Sequence, residues 1–250
     1  MPIERPYFRC VRPGVDGSYM ESGRWYYIGH DDYAPDAVHY IRAFELLQSD
    51  LLRLFEFIEP ADRNEDTFSF RCHELLLRAC GEVEANCKAI LEASGYGRTG
   101  DWNMKDYRLL EHSHHMSSYR VRLPVWTGAN DVCRPFENWS QGESPAWFQA
   151  HHGGKHNRHS EFEKANFRNV VDAVSAVAAL LTAQFLDVDF RPQSLGVSGF
   201  GPKGNFMKCI GDYFEVELPD DWADEDCYEF DWQKLKDTES PIQKLTFVAE

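Results

Sequence analysis

The chain of 250 residues has seven cysteines but no CxxC pair, no internal repeat and no low-complexity tract. It also lacks an unbroken apolar run of the roughly 20 residues that a membrane span requires. The missing CxxC pairs and the odd cysteine count point to reduced thiols in a cytoplasmic protein rather than to a disulfide framework or a zinc ribbon. The opening residues, MPIERPYFRC, carry neither the basic flank nor the apolar core of a signal peptide. Positive charge is scarce, with 26 Lys and Arg against 41 Asp and Glu for a net charge of −15. That balance excludes a broad, non-specific grip on nucleic-acid phosphates but permits a small local basic site. No HExxH pair is present, and GVSGFGPKGN at 196–205 lacks the GxxxxGK[ST] order of a phosphate loop.

The composition is otherwise that of a folded protein. At 43% hydrophobic and 14% aromatic residues, the chain can bury a sizeable core. The acidity is uneven. Between Glu215 and Glu239 there are eleven acids and two lysines, a net of −9 from a tenth of the chain. Such a run is a solvated face, a dock for a basic partner, or a cover over the protein's own basic patch.

Hydrophobic spacing predicts four helices. The first opens at Pro35 with Asp36 as its cap and points Val38, Ile41, Phe44, Leu47, Leu51, Leu54, Phe55 and Ile58 inward until Pro60 stops it. The second spans about Phe68 to Ala93, with Phe70, Leu75, Leu76, Ala79, Cys80, Val83, Cys87, Ile90 and Leu91 inward and Gly95 as its stop. Cys72, Cys80 and Cys87 on this helix read as small apolar core residues. A shorter helix starts at Ser144–Pro145, carries Trp147 and Phe148, and ends at Gly153–Gly154. The fourth begins at a Ser160-x-x-Glu163 capping box and runs to Leu186 as a buried bundle helix. Alternation at Tyr119–Val125 predicts a strand, with Val132–Trp139 as an edge partner, and short strands are expected at 205–210, 213–218 and the C-terminal IQKLTFVAE. Residues 1–34 read as an irregular arm with one short strand near 25–28.

The fold class expected is therefore mainly α. Residues 35–190 form a helical domain with a small β insertion at about 98–143, and residues 191–250 form a mixed, acidic appendage. FRCHELLLRACGEVEANCKAIL at 70–91 and WFQAHHGGKHNRHSEFEKANFRNVVDAVSAVAALL at 147–181 resemble the second helix and the Trp-x-x-Tyr-Asn-x-x-Lys-His-x-Arg segment of bacterial HEPN-like proteins. The resemblance covers residues 36–94 and 145–187 and implies a HEPN-like four-helix bundle.

Many HEPN domains are metal-independent endoribonucleases of toxin or antiphage-defence type. Their motif is an Arg, a polar residue and, a few residues later, a His. By resemblance His156 takes the His position as acid/base, His152 the polar one, and His151 stands where the family has its Arg. Lys155 and Arg158 would hold the phosphate, and Glu82 and Glu84 would orient the histidines. Cleavage by the RNA's own 2′-hydroxyl needs a proton acceptor, a proton donor and a cation beside the phosphate, and neutral-pH histidine suits the first two roles. No metal or cofactor is required. The resemblance further implies a homodimer, an RNA substrate and no membrane; the acidic C-terminal region suggests a protein partner. A catalytically inert module that dimerises or binds RNA or a partner is the competing expectation.

Two rival sites follow from spacing alone. His152 and His156 have the four-residue spacing of two metal ligands, with His112, His114 and His115 as further donors if the fold brings them near. Arg120 and Arg122, beside Tyr119, Trp126 and Trp139, make either an aromatic–basic surface for single-stranded RNA or an ordinary half-buried strand.

Overall fold

A computed structural model describes residues 1–156, 158–190 and 205–247, with the backbone alone at residues 22, 154–156 and 158. The glycine-rich stretch at 196–205 lies almost wholly outside these residues, as do the last three residues of the expected C-terminal strand. The architecture is mainly α, with one small antiparallel sheet.

Three long helices carry the core: α1 (Ala37–Phe55), α2 (Phe70–Ala93), and a third at Phe167–Phe185, here α7. Two short helices, α3 (Met104–Tyr107) and α4 (Leu110–His114), follow α2, and α5 (Ala146–His156) and α6 (Arg158–Glu161) precede α7. Every residue of α7 from Ala173 to Phe185 is buried, because Val, Ala and Leu occupy all sides rather than one stripe. Helices α1, α2 and α5 pack around it.

The start of α7 differs from the sequence expectation. Ser160 belongs to α6, residues 162–164 form a 3₁₀ turn, and Asn166 caps α7 by accepting the Asn169 N–H at 3.0 Å. Two further N–H groups of its first turn donate to the carbonyls of Thr67 and Glu65. A loop 100 residues away thus satisfies donors that a local capping box would otherwise serve.

Other boundaries shift for similar reasons. Asp36 makes no cap bond, because its carboxylate pairs with Arg9. Helix α1 ends at Phe55, before Pro60, and Val38 and Phe70 face solvent rather than the core. Ser69 caps α2 by accepting the Cys72 N–H at 3.1 Å, and Gly95 ends it at φ +76°, which a side chain would oppose. Residues 25–28 belong to a 3₁₀ helix, Glu21–Gly29, not to a strand. All seven cysteines are buried and reduced.

The sheet joins distant segments. Strands β1 (Arg120–Arg122), β2 (Val132–Cys133), β3 (Phe206–Lys208) and β4 (Glu215–Glu217) run in the order β2-β1-β4-β3. Its central pair unites the insertion with the acidic C-terminal region, with Arg120 opposite Glu217, Val121 opposite Val216 and Arg122 opposite Glu215. Both valines are fully buried. The partner strand after 131 is only two residues long, and the chain beyond it turns into the 3₁₀ segment Glu137–Gln141.

Candidate functional site

The histidine-rich segment is a helical hairpin. Helix α5 continues through Gly153–Gly154 to His156 instead of ending there, and α6 begins at Arg158. The glycine has a packing reason, since a Cβ at Gly153 would crowd the Glu161 side chain at 3.3 Å. A glycine in a helix interior costs about 1 kcal/mol relative to alanine, and here it lets the second arm lie close to the first.

The backbone places His152 and His156 one turn apart along α5, and His151 and Lys155 likewise. His151 is half-buried against the Phe148 ring at 5.5 Å, whereas His152 and His159 are exposed. The side chains of Lys155, His156 and Arg158 lie outside the described residues. No acid occurs between Glu143 and Glu161, so the hairpin is histidine-dense on a strongly acidic protein, and its one acid, Glu161 at the end of α6, packs against Gly153. Beside it, Phe162 packs on Phe68, Phe70 and His73. His73 is 8% exposed, and its Nε2 has no hydrogen-bond partner.

Glu82 and Glu84 face different neighbours. Burial raises the Glu82 pKa, with His39 and Arg78 opposing it, which places Glu82 on the α1 side. Glu84 lies 4.0 Å from Lys88, and its charge acts on Tyr107. The structure does not bring these two carboxylates together as a pair.

The other histidines lie under the N-terminal arm. His114 is buried, and its Nε2 donates to the Arg9 carbonyl at 3.0 Å, while Nδ1 lies 2.7 Å from the Ser113 hydroxyl. Both ring nitrogens are thus occupied within the protein. Cys10 donates to the Ser113 carbonyl at 3.5 Å, and Arg12 donates to the same oxygen at 2.9 Å. Burial raises the Cys10 thiol pKa, but His114 and Arg12 outweigh it and hold the thiol at about 7. Sequence reading missed this knot, because its members are 103 residues apart and carry no motif. His115 Nδ1 donates to the Asp221 carboxylate at 3.0 Å. Among the described residues, no group of three or more His, Cys, Asp and Glu side chains is placed to hold a metal ion.

Arg120 and Arg122 are not an open basic surface. Arg120 donates to the Glu217 carboxylate at 2.5 Å and Arg122 to that of Glu215 at 3.2 Å, and both guanidinium groups lie over the Phe206 ring. Tyr119, Trp126 and Trp139 are buried. No helix among the described residues is long and apolar enough to cross a membrane. Comparison with known protein families, with characterised proteins and with solved structures finds no match to this chain.

Proposed function

We propose that this chain is a HEPN-like helical domain that acts on RNA through the α5–α6 hairpin, as a metal-independent endoribonuclease of toxin or antiphage-defence type. The supporting observation is the hairpin itself, where four histidines, Lys155 and Arg158 fall within nine residues that hold no acid, on a protein of net charge −15. In this reading His156 is the acid/base, His152 and His151 assist, and Lys155 and Arg158 neutralise the phosphate. The test is incubation of a mixed RNA pool with wild type and His156→Ala in EDTA. Wild type is expected to cleave, leaving 2′,3′-cyclic phosphate ends, and the variant to lose at least about 100-fold of that activity, the lower end of an acid–base contribution. Cleavage that requires a divalent ion, or that survives the substitution, defeats this reading.

One observation favours the second reading, a catalytically inert module. His151 occupies the family's Arg position and packs half-buried on Phe148, where it supplies no permanent cation. In that case the chain's role is dimerisation with RNA or partner binding.

A further inference from the structure

Beyond β4 the chain crosses the surface as a strap, residues 218–226, that contains five acids and Trp222. It reaches the core again at Cys227 and Tyr228, both buried. Trp222 is held by an imidazole and a guanidinium of the protein itself. The His115 ring stacks on its indole at 4.0 Å with planes 16° apart, and the Arg12 guanidinium lies over it at 4.8 Å. The indole N–H donates to the Tyr19 hydroxyl at 2.8 Å.

Two acids of the strap flank this stack. Asp221 accepts from Ser118 at 2.8 Å and pairs with His115, and Asp226 pairs with Arg12 at 3.3 Å. Burial raises the Asp221 pKa, but the hydrogen bonds from His115 and Ser118 outweigh it and keep the carboxyl below its usual range. The strap does not satisfy Arg12 fully. Its two terminal nitrogens are bonded to Asp226 and Ser113, yet its Nε is buried and has no acceptor, while the side chain is only 5% exposed.

The pattern is that of a planar bicyclic ring against a guanidinium and an imidazole, with a carboxylate oxygen on each of the two. A purine nucleotide presents the same features, a flat two-ring base and a phosphate whose oxygens suit an arginine fork. We propose that the slot formed by Arg12, His115, Tyr19 and Ser118 binds a purine nucleotide unit, and that Trp222, Asp221 and Asp226 occupy it as an internal mimic. The choice of a nucleotide rests on the RNA reading above; the occupancy by the strap rests on geometry alone. A phosphate, with more acceptor oxygens than one carboxylate, would also supply the acceptor that Arg12 Nε lacks.

The experiment uses the full chain carrying His156→Ala, so that cleavage cannot destroy the probe and failure of the nuclease reading leaves the result interpretable. Binding of fluorescein-labelled hexa-adenylate is followed by anisotropy with and without Trp222→Ala. Emptying the slot is expected to tighten binding about tenfold, the order of one base–aromatic stack. Adding His115→Ala should abolish the gain. Displacement by AMP would mark the free nucleotide as a sufficient ligand, and gain without displacement would mark the RNA strand. Asp221→Asn, which keeps the indole, should show a smaller gain and serves if Trp222→Ala lowers the melting temperature. A folded Trp222→Ala protein with unchanged affinity, or a gain that survives His115→Ala, overturns the proposal.

Discussion

Arg9 is 3% exposed, and the surroundings that make this tolerable come from two distant parts of the chain, residues 36–40 and 184–185. One terminal nitrogen donates to Gln184 at 2.8 Å, the other meets Asp36, and Tyr40 and Phe185 lie against the guanidinium. Gln184 in turn donates to Asn86 at 2.9 Å, so α2 and α7 share one polar contact inside an apolar core. Such a network is stable only when its members are satisfied together. Cys10, the next residue, carries a testable consequence. Its folded-state pKa of about 7 lies below the ordinary thiol value of roughly 8.5, so its contribution is present above that value and lost as pH falls through 7. Relative to Cys10→Ser, wild type should gain about 2 kcal/mol between those limits, read from urea denaturation across pH. A constant difference between the two proteins would show that the buried thiol does not ionise.

At the scale of elements, what counts is which segments satisfy each other. The strands of the central β1–β4 pair are only three residues long, and they place two Arg–Glu pairs directly opposite one another. Cross-strand charge pairs contribute roughly 0.2–1 kcal/mol each, and like charges opposite one another are unfavourable. Arg120→Glu is therefore expected to destabilise the protein by about 1 kcal/mol or more, and Glu217→Arg added to it should recover most of the loss. Thermal melting of the two single variants and the double variant measures the coupling, and strictly additive losses would show the pair to be inert. The same neutralisation explains why the alternating arginines of β1, legible as a possible RNA surface, do not present one.

For the whole molecule, several large apolar side chains on or next to α1 and α2 remain largely exposed. Val38, Leu46, Phe57 and Phe70 are 57%, 56%, 84% and 63% exposed. A groove of about 290 Å³ between the helices is lined by Arg53, Arg71 and Arg78 together with Asp50 and Glu74. A surface that carries both charges around apolar residues can complement itself, so a second copy is the occupant to test here against the expectation of a homodimer. Wild type is expected to sediment as a dimer and Phe57→Glu as a monomer at the same concentration. A wild-type monomer at tens of micromolar would remove this face from the dimer proposal. Periodicity marked the long helices and β1 because a helix repeats every 3.6 residues and a strand every 2, both read within a short window, and the other three strands fall within stretches expected to be extended. It also marked α7 as buried, because its apolar and small residues leave no polar face. Only the tertiary structure decided that Thr67 and Glu65 complete the start of α7, that Arg120 meets Glu217, and that Trp222 lies on His115. Each of these joins residues about 100 or more positions apart, and such pairings are set by competition among all partners in the folded chain rather than by a local pattern.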